Sequence, residues 1–275
     1  MATPLVAFQG ERGSFSEEAA YKLLGRNIRV LPCETFSAIF ESVTSGRANY
    51  CLVPIENTLA GSVYENFDLL QANNLHIVSE VSLRIVHNLI AMPDIARKDV
   101  RQVYSHPVAL AQCRRFFADN PKIERITYYD TAGSVKMLAE RRPPGAAAIA
   151  SRIAAEVYHA RILKTHLEDH RENYTRFFLL SKTARVSPKA NKISIVFSTR
   201  NLPGALYKCL SVFALRDIDL TKMESRPLHG RPWEYFFYID LVGNVKQEHC
   251  KKALAHLSEV TNFLRVLGCY ESAKR

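Results

Sequence analysis

From residue 1 to about 181, short apolar runs suited to strands alternate with stretches of helical periodicity. That alternation constrains the chain more than any other feature, because it points to an α/β architecture with mainly parallel pairing. Leu5–Gln9, 28–31 and 51–55 read as strands; Phe15–Leu24, Phe36–Thr44 and 63–71 read as helices. In Phe36–Thr44 the apolar Phe36, Ile39, Phe40 and Val43 recur at helical spacing. A long extended stretch follows at 76–92. Strands Gln102–Ser105, 126–129 and Ala146–Ala150 then alternate with helices 107–117, 132–140 and 151–158. The extended crossing predicts two lobes whose strand-to-helix junctions face each other across a cleft.

Beyond a polar, proline-containing linker at 181–191 the pattern changes. Lys192–Ser198 is a strand, and Asn201-Leu202-Pro203-Gly204 turns into a helix running to about Leu215. Strands at 219–226 and 234–242 flank a turn at 229–232, a helix covers 246–258, and Phe263–Tyr270 closes as a strand. The order βαββαβ is a ferredoxin-like unit. Two helices cover one face of its sheet. The other face, carrying some of Phe236, Phe237 and Tyr238, predicts a homodimer contact.

At 275 residues and 47% hydrophobic content, the chain suits a globular protein of roughly two domains. No apolar window is long enough for a membrane helix, and residues 1–10 lack the pattern of a secretion signal. Six scattered cysteines without a C-x-x-C pair read as reduced thiols of a cytoplasmic protein. The net charge of +10 is spread along the chain instead of being concentrated, which argues against nucleic acid as a partner.

Ser14, Ser62, Ser105 and Thr131 stand where helices should begin, as N-caps. Helix N-termini gathered at one sheet edge suit an anionic ligand. In Asn173-Tyr174-Thr175-Arg176-Phe177-Phe178 a guanidinium and a hydroxyl sit side by side where an apolar strand begins. Arg176 can grip a carboxylate through two parallel hydrogen bonds. Glu56 follows the apolar run 51–55, where partial desolvation would let it act as an acid. Asn57 and Gln112 fit orienting roles, Phe177 supports a pocket wall, and His106 before Pro107 reads as structural.

These segments resemble the prephenate dehydratase family with a C-terminal ACT regulatory domain. The resemblance rests on residues 10–20, Val53-Pro54-Ile55-Glu56-Asn57-Thr58, Gly61-Ser62-Val63, Ser105-His106-Pro107, Ala111-Gln112-Cys113, Asp130-Thr131-Ala132 and residues 173–177. In the C-terminal part it rests on Asn201-Leu202-Pro203-Gly204-Ala205-Leu206 and Glu224-Ser225-Arg226-Pro227. It implies a two-lobed, periplasmic-binding-protein-like catalytic domain over residues 1–182 and an ACT domain over 192–270. The implied reaction removes a ring hydroxyl and a carboxylate from prephenate, giving phenylpyruvate, water and CO2 without metal or organic cofactor. Thr175 is the residue the resemblance marks as catalytic, with Glu56 and Arg176 beside it. Asn57, Ser14, Ser105, Gln112, Thr131 and Phe177 are expected to bind substrate. The segment 201–206 with Glu224, Ser225 and Arg226 is expected to bind L-Phe and to inhibit through a shift between two conformations of a tetramer built from dimers. With no helical mutase segment before residue 5, the chain reads as monofunctional. Arogenate is the rival substrate. A non-catalytic amino-acid sensor is the rival of another class.

Overall fold

The computed structural model describes residues 3–228 and 230–273. Its elements in chain order are β1 (Leu5–Gln9), α1 (Phe15–Leu24), β2 (Arg29–Cys33), α2 (Phe36–Thr44), β3 (Tyr50–Asn57), β4 (Gly61–Ser62), α3 (Tyr64–Ala72), β5 (His76–Arg84) and β6 (Asn88–Ala91). There follow β7 (Gln102–Ser105), α4 (Pro107–Ala111), α5 (Arg114–Ala118), β8 (Glu124–Thr127), α6 (Thr131–Arg141), β9 (Ala146–Ala150), α7 (Arg152–Val157), β10 (Arg161–Lys164) and β11 (Tyr174–Ser181). The last part holds β12 (Lys192–Ser198), α8 (Ala205–Ala214), β13 (Leu220–Pro227), β14 (Tyr235–Val242), α9 (Glu248–Val260) and β15 (Phe263–Tyr270). No helix among the described residues is long and apolar enough to cross a membrane.

The chain forms two compact units. The first comprises the described residues up to Val63 together with Ser82–Phe177; the second comprises Tyr64–Val81 and the chain from Phe178 onward. The sequence does not anticipate that Tyr64–Val81 groups with the C-terminal part.

In the first unit, β1 pairs in parallel with both β2 and β3, and β11 lies beside β3 on its other edge. A second sheet has the order β10-β6-β9-β7-β8. Its centre, Ala146–Ala150, is buried on both faces because the side chains are small. Ala146, Ala148 and Ala150 pack under Val135 and Leu138 of α6, and Ala147 and Ile149 under Phe116 and Phe117. The loop before α1 lies tightly on α7. Gly13 has φ +83, a Cβ there would come within 2.6 Å of the Ala154 Cα, and its carbonyl accepts from Ser151 Oγ at 2.5 Å. Only glycine fits that approach.

In the second unit, β12 lies between β14 and β15, and β13 flanks β14, all antiparallel. α8 and α9 cover one face through Ile193, Ile195, Phe197, Phe213, Leu241 and Leu257. Of the 229–232 turn, His229 lies outside the described residues. On the opposite face, which the sequence expects to meet a second copy, α3 packs over Tyr238 and Arg226. Tyr238 is buried, its ring stands edge-on to Phe67 at 4.9 Å, and its hydroxyl donates to the Phe67 carbonyl at 2.8 Å. Arg226 grips Asp68 of α3 with Nε and Nη2 at 3.0 and 2.7 Å, and its guanidinium lies 4.7 Å from the Tyr64 ring centre. Asp68→Ala removes a bidentate, largely covered pair, and is expected to lower unfolding free energy by about 1–2 kcal/mol, read as a lower urea midpoint at unchanged slope.

Three local expectations are corrected. The helix at 107–117 is two short helices, because Asp169 accepts from Arg114 N and Arg115 N at 2.8 and 3.0 Å and starts α5 afresh. Ser62 is a strand residue opposite Glu56, not a cap. β10, with Arg161 exposed and no apolar run before it, is not visible in the sequence.

Candidate active site

β3 ends where β11 begins, and their adjacency brings together residues more than a hundred positions apart. Asn57 closes β3. Its Oδ1 accepts from Leu59 N at 3.0 Å and Ala60 N at 2.8 Å, a local turn that fixes the amide the right way round. Nδ2 therefore faces β11 and donates to Asn173 Oδ1 at 2.8 Å, Thr175 Oγ1 at 2.9 Å and the Tyr174 carbonyl at 3.1 Å.

Asn173 is fully buried and continues the network: its Nδ2 donates to Gln112 Oε1 at 2.9 Å. Gln112 is free to turn there because it sits at the break between α4 and α5. The same Oε1 lies 2.9 Å from His87 Nε2. An amide oxygen only accepts, so Nε2 carries the hydrogen. Burial pushes the His87 pKa down, which keeps the ring neutral. Its Nδ1 is buried and has no hydrogen-bond partner among the described residues.

Thr175 Oγ1 accepts from Asn57, so its own hydrogen is left to donate. Arg176 Nη1 lies 3.2 Å from Glu56 Oε1, with only 13% of the arginine side chain exposed. Glu56, read from the sequence as a partly desolvated acid, thus faces a cation. Successive strand residues alternate faces, so the Asn57–Thr175 and Glu56–Arg176 contacts lie on opposite faces of the β3–β11 pair. Phe177 is buried.

The structure brings together Thr175, Asn57 and Gln112 in one network, and Glu56 with Arg176 in a separate pair on the other face of β3 and β11. No hydrogen bond among the described residues links Ser14, Ser105 or Thr131 to them. Ser14 caps α1, accepting from Glu17 N at 3.3 Å. Ser105 does not cap α4: it is buried and donates to the Ile149 carbonyl at 2.6 Å, while His106 Nδ1 accepts from Val108 N. Thr131 is the first residue of α6, and the cap is Asp130, which accepts from Gly133 N at 2.7 Å. Asn173 as a hub and His87 behind Gln112 were missed. Their signal was weak, a lone Asn before the Thr-Arg pair and a His within an extended run.

A cavity of about 490 Å3 opens at the ends of β1 and β2, lined in part by Glu11, Glu34, Tyr129 and Asp130. Glu11 accepts from Tyr129 Oη at 2.9 Å and Lys136 Nζ at 3.1 Å, and burial raises the Asp130 pKa. Three carboxylates suit a dianion poorly, and none of the Thr175 group lines this space.

In the second unit Gly204 (φ +76) heads α8, with Asn201, Leu202 and Pro203 exposed before it and Ala205 and Leu206 half-buried after it. Glu224 and Arg226 share one side of β13, as their spacing predicts, with Ser225 on the other. Glu224 Oε2 lies 3.8 Å from Lys222 Nζ.

Residues 6–185 match the family profile described as prephenate dehydratase. The chain is 43% identical over 277 residues to arogenate dehydratase/prephenate dehydratase 2, chloroplastic, of Arabidopsis thaliana, covering 96% of this chain and 72% of that one. It superposes with TM-score 0.89 and 31% identity on the crystal structure of prephenate dehydratase in complex with L-Phe from Arthrobacter aurescens, covering 97% and 89% of the two chains. A structure described as GqqA, a novel type of quorum quenching acylase, gives TM-score 0.91 and 33% identity over 98% of both chains.

Proposed function

The chain belongs to the prephenate dehydratase family, and we propose that it is a carbon–oxygen lyase converting prephenate to phenylpyruvate, water and CO2 for phenylalanine biosynthesis in the cytoplasm. The ring C–O bond breaks as a proton reaches the departing oxygen. The C–C bond to the ring carboxylate breaks with it, and its electron pair completes the aromatic ring. No external oxidant or reductant enters the balance. The protein's tasks are to hold one pose and to put a hydrogen on the leaving oxygen.

The observation that carries this reading is the direction of one hydrogen bond. Asn57 donates to Thr175, so the threonine hydroxyl offers its hydrogen to the departing oxygen. Arg176, oriented by Glu56 on Nη1, lies on the other face of the β3–β11 pair from Thr175, so it binds a carboxylate of a substrate that reaches round the strand ends. Arg176→Lys keeps the charge and loses the planar fork; kcat/KM is expected to fall at least about tenfold. An unchanged value reduces Arg176 to a brace between β3 and β11.

Formation of phenylpyruvate from prephenate by the purified protein tests the function, and kcat/KM for arogenate against prephenate decides between the two substrates. The resemblance to an acylase makes acyl transfer the second reading. It is disfavoured because the side-chain NH2 of Asn57, on the Thr175 hydroxyl, cannot accept the proton of an attacking hydroxyl.

Residues 1–182 form the catalytic domain in this reading and 192–270 an ACT domain. L-Phe binds at 201–206 with Glu224, Ser225 and Arg226 and inhibits, supported by the L-Phe complex of the Arthrobacter relative. The exposed Leu202, Tyr207 and Leu215 around α8 support assembly into a tetramer built from dimers. Titrating L-Phe against activity while light scattering follows molar mass checks both.

A further inference from the structure

Asn173 has no assigned part in the chemistry, yet among the described residues it alone is bonded to both amides of the site. Its Oδ1 accepts from Asn57 and its Nδ2 donates to Gln112 Oε1. An amide can be held either way round, and a neighbour that offers one acceptor and one donor decides which. Asn57 is already fixed by its own turn, so Asn173 must present its oxygen to β3 and its NH2 to Gln112. Gln112 then has its oxygen taken by two donors, Asn173 Nδ2 and His87 Nε2, and turns its own NH2 away from them. The half-exposed Gln112 Nε2 and Thr175 Oγ1 are thus left as hydrogen donors by one chain of bonds, His87–Gln112–Asn173–Asn57–Thr175.

We propose that Asn173 is a positioning residue that sets the polarity of this chain, so that Gln112 meets the substrate as a donor beside Thr175. The proposal rests on the dehydratase reading above. It is specific: reversing the Asn173 amide, or replacing its NH2 by an acceptor, would turn Gln112 over and offer the substrate an oxygen where a hydrogen is needed.

Asn173→Asp makes that replacement at nearly constant volume. The ionised carboxylate still accepts from Asn57 but cannot donate to Gln112. The protonated form regains an O–H donor, and burial favours that form. Four proteins are compared from pH 5 to 8 with prephenate: wild type, N173D, Q112A and N173D/Q112A. At pH 8, N173D is expected to lower kcat/KM about 30-fold or more, and the deficit against wild type should shrink as pH falls. In the Q112A background the same substitution should cost less than about threefold, because the amide it misorients is gone. An equal cost in both backgrounds, or a deficit that does not change with pH, overturns the proposal. If N173D does not fold, N173A carries the same cycle, and a cost unaffected by Q112A again overturns it. Wild-type turnover, measured first, tests the dehydratase reading separately: no phenylpyruvate there sinks that reading, whereas normal wild-type turnover with an additive cycle sinks only this one.

Discussion

Thr175→Ala is expected to lower kcat about 10²- to 10⁴-fold while leaving the denaturation midpoint nearly unchanged. The magnitude is that of losing a positioned hydrogen donor to a leaving group. Stability should hold because the Thr175 hydroxyl makes one hydrogen bond, to an Asn57 amide that keeps Asn173 Oδ1 and the Tyr174 carbonyl as acceptors. Thr175→Ser restores the hydroxyl without the methyl and should recover most of the rate. Rapid-quench turnover of prephenate measures both. Full activity in the alanine variant would remove Thr175 from the reaction, and an inactive serine variant would mean that the methyl group, and not the donor, matters.

The same arithmetic explains why some of the site could be read from the sequence. Apolar periodicity marks strands and helices, so the α/β alternation, the βαββαβ order and the edges of Phe36–Thr44, Gln102–Ser105 and Lys192–Ser198 agree with the structure. Periodicity says nothing about which polar group ends a helix. Asp169 splits the predicted helix at 107–117 from more than fifty residues away, and that break is what lets Gln112 turn toward Asn173. Ser105 and Thr131 look like caps by position, but His106 and Asp130 take the N–H groups.

Contacts across the sheet were legible only in part. Neighbouring letters suggest that Thr175 and Arg176 act side by side; the pleat separates them and gives each a partner on β3. The aromatic face at Phe236–Tyr238 reads as an oligomer contact because apolar surface must be covered. Part of that cover comes from α3, a helix far earlier in the chain, as the Phe67–Tyr238 ring pair and the Arg226–Asp68 bridge show. Burial demands a partner without saying which.

Asn57→Asp should be nearly as damaging as loss of the threonine, although it changes one NH2 into an oxygen. The turn over 57–60 survives, because an aspartate oxygen accepts from Leu59 N and Ala60 N as the amide oxygen does. The other oxygen then faces three acceptors, at Asn173 Oδ1, the Tyr174 carbonyl and Thr175 Oγ1, with no hydrogen to give. Of these Thr175 can respond by rotating its hydroxyl to donate inward, whereas Asn173 could do so only by reversing its amide against Gln112. The hydrogen that the reaction needs is then spent on the introduced carboxylate. We expect kcat to fall about 10²-fold or more with KM changed little, and Thr175→Ala in the Asn57→Asp background to cost almost nothing further. The two remaining carboxylate–acceptor contacts without hydrogens should also cost about 1–3 kcal/mol of stability, visible as a lower urea midpoint. If Asn57→Asp turns over prephenate at the wild-type rate, the direction of the Asn57–Thr175 bond has no bearing on catalysis, and Thr175 must deliver its hydrogen by some other arrangement.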